Sequence, residues 1–168
     1  GQELPLPFKR YQVQSAFRAE KPQKGRFREF LQCDIDIVGA TPPLPDAEIL
    51  AVLFAVYKNL GVKNLVINVN DRKDLFSLLA KAGVPEKLQL RTTQIIDKLD
   101  KVDKSKVQEI LSDVVPSDVA AAVVTLLHQE TPASPELEAI LSKAVSLGVA
   151  KEAFKLTPYL ARGLDYYT

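Results

Sequence analysis

Two runs of strict apolar–polar alternation on either side of a charged loop constrain this chain more than any other feature. In FKRYQVQSAFRAE (residues 8–20), Tyr11, Val13 and Ser15 point one way and Gln12, Gln14 and Ala16 the other. In EFLQCDIDIVG (29–39), Phe30, Gln32, Asp34 and Asp36 share one face, and Leu31, Cys33, Ile35 and Ile37 share the opposite one. A period of two belongs to extended backbone, whose successive side chains point to opposite sides. Two such runs flanking a Pro/Gly loop read as an antiparallel hairpin. The loop KPQKGR (21–26) is too long for a two-residue turn, so a mobile tip is expected. A strand face carrying Gln and two carboxylates beside Phe30 is unusual for packing and natural for the floor of a ligand pocket.

After TPPLPD (41–46) the period changes. Asp46 is an expected N-cap for AEILAVLFAVYKNLG, where Ile49, Val52, Leu53 and Val56 fall at helical spacing and Gly61 stops the helix. KNLVINVND (63–71) reads as a short strand. Residues 72–153 read as helical. Asp71 caps RKDLFSLLAKAG; TTQIIDKLDK and KSKVQEILSDVV follow; Ser117 caps DVAAAVVTLL; Ser134, Pro135 and Gly148 bracket a further helix. The final AFKLTPYLARGLDYYT returns to strand character. The expected class is therefore α+β, with a helical block (72–153) inserted between strands that belong to segments 1–71 and 154–168.

Composition narrows the function. The 168 residues, 46% of them apolar, suffice for one ordinary domain or two small ones. A net charge of +1 means that any polyanion must be met by a local patch. Cys33 is the only cysteine, which excludes an internal disulfide and a thiolate metal cluster and fits a reducing cytoplasm. His128 is the only histidine and sits at the end of an apolar helical run, so no multi-histidine metal site is expected. No apolar run reaches the length needed to span a bilayer, so no membrane association is expected. The N-terminal GQELPLPFKR lacks the apolar core of a signal peptide. The abrupt ends, with the last residues in a strand-like run, suggest a piece of a longer protein.

The charged loop holds the chemistry. Arg18 lies just before it and Arg26 just after. Guanidinium groups can fork onto a phosphate chain, Phe30 offers a flat ring to a base, and Glu20 can accept from an amino group. No GxxxxGK[ST] or GxGxxG motif is present, so a triphosphate site here would be built without a glycine-rich loop. A charged run of this kind is also what an ordinary solvated surface looks like.

FRAEKPQKGRFREFLQCDIDIVG (17–39) resembles motif 2 of the class II aminoacyl-tRNA synthetases in its histidyl form, and LARGLDYYT (160–168) resembles the histidine-specific motif of that family. The resemblance implies a partial class II antiparallel sheet with an inserted, mainly helical domain. It implies activation of L-histidine by ATP and transfer to tRNA(His), with Mg²⁺ carried on the ATP phosphates and no metal held by the protein. It assigns Arg18 and Arg162 as catalytic. Arg18, Glu20, Arg26 and Phe30 would bind ATP. Gln32, Asp36, Arg162, Tyr166 and Tyr167 would bind histidine. The family's dimer-forming motif, its α-amino-binding loop, a further ATP-binding arginine and the anticodon-binding domain would lie outside these residues, in a homodimeric parent. The helical block, with Lys98, Lys101, Lys104 and Lys106, is expected to clasp the acceptor arm of the tRNA. Two non-charging relatives share the fold, the regulatory subunit of ATP phosphoribosyltransferase and the synthetase-like domain of a tRNA-sensing kinase. A complete motif 2 together with RGLDYYT favours the charging enzyme. A third alternative is a helical RNA-binding module alone.

Overall fold

The alternating runs form a long antiparallel hairpin, β1 (Phe8–Phe17) and β2 (Glu29–Val38), in the computed structural model, which describes residues 4–19, 21–97, 103–129 and 131–161. The register pairs Phe8 with Val38, Val13 with Cys33 and Phe17 with Glu29. Directly opposed residues in an antiparallel ladder share a face. One face therefore carries Arg10, Gln12, Gln14, Phe30, Gln32, Asp34 and Asp36, and the other Tyr11, Val13, Phe17, Leu31, Cys33, Ile35 and Ile37.

The tip of the hairpin closes in a defined turn. Pairing continues past the strands, with Arg18 N donating to Arg28 O at 2.8 Å, and Gln23 and Arg26 then close a tight turn through two backbone hydrogen bonds of 3.2 and 2.8 Å. Gly25 has φ +77°, the left-handed conformation that the third residue of such a turn needs and that glycine adopts without steric cost.

Helix α1 (Leu44–Asn59) begins before the expected Asp46 cap, with Pro45 and Asp46 already in its first turn. Proline fits there because the first-turn N–H groups have no intrahelical partner, and the carboxylate favours the positive end of the helix dipole. The stripe Val52, Leu53 and Val56 is exposed; Ala47, Leu50, Ala51 and Phe54 face the interior instead. A helix that is apolar nearly all round does not declare by periodicity which side packs.

Strand β3 (Ile67–Val69) leads into α2 (Arg72–Lys81), α3 (Glu86–Ile96), α4 (Lys104–Ser112), α5 (Ser117–Leu127) and α6 (Pro135–Ser146). A short 3-10 turn, Lys151–Ala153, precedes β4 (Phe154–Leu156). Asp71 caps α2 by accepting from Lys73 N at 2.7 Å. Ser134 caps α6 by accepting from Leu137 N at 3.4 Å, with Pro135 as the first helical residue. Ser117 is itself the first residue of α5, after Pro116, and makes no side-chain cap. Strands β3 and β4 pair in parallel, so the helices enter and leave between two neighbouring strands. The architecture is α+β.

The buried residues form two cores. One is built from α2–α5, with Leu75, Leu79, Ile96, Val107, Leu111, Val123 and Leu127 at its centre, and it also takes in Ala161. The other joins α1 to α6 and β3 through Ala47, Ile67, Val69, Ala144, Val149 and Ala153. The helical stretch 72–153 is thus shared between them: α6 packs on α1, while α2–α5 pack on one another.

Leu79 is fully buried and Leu31 is 73% exposed. Leu79→Ala should cost about 2–5 kcal/mol of unfolding free energy. Leu31→Ala, of the same chemistry on an open sheet face, should stay within about 0.5 kcal/mol. Urea denaturation followed by circular dichroism reads both.

Candidate functional site

The polar face of the hairpin carries a connected row of groups. The Arg18 guanidinium lies over the Phe30 ring, 4.8 Å from its centroid. At that separation a cation gains from the negative face of the ring. Arg18 Nη2 also donates to Gln32 Oε1 at 3.4 Å. The Gln32 amide is held from its other end, where Nε2 donates to both carboxylate oxygens of Asp34 at 2.9 Å. The period-two backbone accounts for the row, because Phe30, Gln32 and Asp34 are successive residues on one side of β2. The amide oxygen is thereby turned toward the cation and the amide nitrogen toward the carboxylate.

Asp36, next on the same face, accepts from Arg10 Nε at 2.6 Å, and both side chains are about half exposed. Arg10 and Asp36 are opposed in the register, so this pair follows from the strand alignment itself. Arg26 does not face Arg18 across the strands. That position is taken by Arg28, while Arg26 sits farther out in the tip turn with Gln23. Glu20, Arg162, Tyr166 and Tyr167 lie outside the described residues.

A cleft of about 520 Å³ lies between β2, α1 and the second sheet. Ile35, Asp36 and Ile37 line it from the hairpin, Asp46 from α1, Asn68 and Asn70 from β3 and the residue just after it, and Leu160 from the segment that follows β4. Asn70 Nδ2 donates to Pro158 O and to Leu160 O, each at 2.9 Å. Among the described residues no group of three His, Cys, Asp or Glu side chains is placed to hold a metal ion.

Sequence reasoning places Asp34 on the polar face with Gln32 but gives it no contact, and it does not single out Arg10 or Asn70. The contacts of Arg10 and Asp34 are accessible to it, since an Arg opposed to an Asp and a Gln two residues from an Asp on one strand are register statements. Asn70 gives no such signal, because its partners are 88 and 90 residues away.

The family model described as histidyl-tRNA synthetase matches residues 7–168. The chain belongs to the histidyl-tRNA synthetase family. Among curated members of the family, the histidine–tRNA ligase of Xylella fastidiosa (strain M12) is 36% identical over 197 residues, covering 98% of this chain and 42% of that protein. The histidine–tRNA ligase of Nanoarchaeum equitans (strain Kin4-M) is 40% identical over 163 residues, covering 97% of this chain and 39% of that protein. In three dimensions, the crystal structure of histidyl-tRNA synthetase from Nostoc sp. PCC 7120 matches with a TM-score of 0.83 at 28% identity, over 99% of this chain and 43% of that one. The chain therefore spans about two fifths of the length of these family members. The partial class II sheet with its inserted helices is shared with the solved family member.

The Arg10–Asp36 pair stands half in water, where ion pairs contribute little. Arg10→Met should change the unfolding free energy by less than about 1 kcal/mol. Denaturation midpoints compared at low and high salt measure it.

Proposed function

We propose that this chain is the central catalytic segment of a histidine–tRNA ligase, which activates L-histidine with ATP and passes the histidyl group to tRNA(His). The observation that carries this reading is the row Arg18–Phe30–Gln32–Asp34 on one face of the hairpin, inside a family match that runs through residue 168. In the first step the histidine carboxylate oxygen attacks the α-phosphorus of ATP, and pyrophosphate leaves with the bonding electrons of the broken P–O bond. The protein aligns the two reactants and neutralises charge on the five-coordinate phosphorus. Arg18 and Arg162 supply that positive charge. Glu20 and Phe30 hold the adenine, and Arg26 meets the terminal phosphates. Gln32 and Asp36 receive the histidine together with Tyr166 and Tyr167. The Asp34 carboxylate keeps the Gln32 amide oxygen directed toward the substrate side. Mg²⁺ would ride on the phosphate oxygens of ATP and supply positive charge to the leaving pyrophosphate. The working protein is a cytoplasmic homodimer.

Helices α2–α5 have a core of their own, which supports a second role, contact with the acceptor arm of the tRNA. Its charges are nearly balanced, and Lys106 is paired with Glu109 at 2.8 Å. The contact is therefore modest and rests mainly on Lys98, Lys101 and Lys104.

Arg162→Ala in the full-length protein should slow histidine-dependent pyrophosphate exchange by two to three decades, about 3 kcal/mol, because one preorganised charge at the phosphorus is removed. The Michaelis constant for ATP should change far less. Near-normal exchange would remove Arg162 from the mechanism.

Replacing Lys98, Lys101 and Lys104 together by Ala should weaken tRNA charging and leave pyrophosphate exchange intact. The slope of log affinity against log salt should flatten by at most about one unit for each phosphate that no longer meets a lysine. Substitution is the sharper test than deletion, because Ala161 and Tyr159 pack against the core of these helices. An unchanged slope with unchanged charging would exclude the tRNA role.

A further inference from the structure

Asp36 is held by one oxygen only. Arg10 Nε donates to its Oδ2 at 2.6 Å, and among the described residues no group donates to its Oδ1. The two residues are directly opposed in the ladder, so the contact crosses the ribbon from one strand to the other. The backbone beneath Arg10 is anchored in turn. Lys9, one residue earlier and so on the opposite face, pairs with Glu48 of α1, Nζ to Oε2, at 2.6 Å. Arg10 therefore leaves from a stretch of β1 that is fixed to β2 by the register and to α1 by its neighbour. A short carboxylate without a partner rotates freely in water. The guanidinium stops that rotation and leaves the second oxygen open on the polar face.

We propose that Arg10 is a positioning residue for histidine, which fixes the Asp36 carboxylate so that Oδ1 accepts from a ring N–H of the substrate imidazole. The proposal rests on the reading of Asp36 given above, as a residue that receives histidine. Three observations favour this role over plain strand support. Both side chains of the pair are 47% exposed, and an ion pair in that setting contributes little to folding. The contact runs through Nε to a single oxygen, whereas a fork onto both oxygens, the stronger geometry, would occupy both. The other carboxylate of the face, Asp34, is already engaged with the Gln32 amide, which leaves Asp36 as the acceptor at this end of the row. Arg10 also offsets the charge of Asp36 where it stands, so a neutral imidazole meets an acceptor and not an isolated anion.

The two substrates should feel the loss of Arg10 differently. Asp36 meets the ring of histidine, whereas ATP is held by Arg18, Glu20, Arg26 and Phe30 in the function proposed above. Loosening the Asp36 carboxylate therefore weakens the grip on histidine and leaves the grip on ATP in place.

The test uses Arg10→Met, Arg10→Lys and Asp36→Ala in the full-length protein, with Arg10→Met also combined with Asp36→Ala. Histidine-dependent pyrophosphate exchange is read with histidine and ATP varied in turn. Arg10→Met should raise the Michaelis constant for histidine about tenfold, as loss of a well-placed bond to a charged group does, while that for ATP stays within about twofold. Arg10→Lys keeps a cation able to reach the same oxygen and should recover most of the loss. In the Asp36→Ala background Arg10→Met should add less than about twofold, because the group it positions is already gone. An unchanged histidine constant in Arg10→Met would overturn the proposal, and so would a parallel rise for both substrates, a Lys variant no better than Met, or multiplied losses in the double variant. Loss of the folded circular dichroism spectrum in both Arg10 variants would also overturn it, by making Arg10 a residue of stability alone. A normal histidine constant in Asp36→Ala by itself is a separate result, which removes the premise and the proposal together.

Discussion

Two strands of three residues each hold this molecule together. Ile67–Val69 and Phe154–Leu156 pair in parallel, and everything between them in sequence must leave and return through that pairing. Three parallel residue pairs are too few to be stable alone, since even a longer two-stranded ribbon is marginal in water. The pairing persists because its side chains sit in a core. Ile67, Val69 and Ala153 are buried with Ala47 of α1 and Ala144 of α6, and Thr157 and Asn70 add hydrogen bonds just beyond the strand ends. Polar side chains bonded to backbone in a half-buried setting are costly to leave unpaired. That cost specifies one alignment of the incoming and outgoing chain.

The hairpin solves a different problem. It presents a flat array of polar groups at fixed spacing, and the strand period supplies that spacing with no further device. Arg18, Phe30, Gln32 and Asp34 meet because they are neighbours on one pleated face. Arg10 meets Asp36 because they are opposed in register. The reaction proposed for this chain needs alignment and charge more than covalent help, and fixed spacing along one strand face is what the hairpin would contribute to it.

How much of this is legible in the sequence depends on how local the cause is. The hairpin, its two faces and the caps at Asp71 and Ser134 are set by residues a few positions apart, and pattern reading finds them. The form of the tip turn escapes it because Gly25 settles that turn by a backbone conformation and not by an alternation. The packing side of α1 escapes it too, because Ile49, Val52, Leu53 and Val56 form as good a stripe as Ala47, Leu50, Ala51 and Phe54. Only the arrival of α6 decides between them. Asn70 is invisible for the same reason on a larger scale, since nothing near it in sequence hints at two carbonyls 88 and 90 residues away. The family resemblance locates motif residues on the hairpin but says nothing about which neighbours steer them.

The second face of the hairpin has a physical consequence of its own. Tyr11, Phe17 and Leu31 are 79, 73 and 73% exposed and lie beside Val13 and Cys33 on one side of a ribbon whose outer edges have no strand beside them among the described residues. An open apolar ribbon is a surface that other extended chains can join by backbone pairing and by burial at once. Kept by itself in solution, this stretch of polypeptide would be colloidally fragile. It would associate more as concentration rises and in salts such as sulfate that strengthen apolar burial, and less at low concentration with mild denaturant. A charged residue in place of Val13 or Leu31 would trade that stickiness for solubility while leaving the polar face of the hairpin untouched.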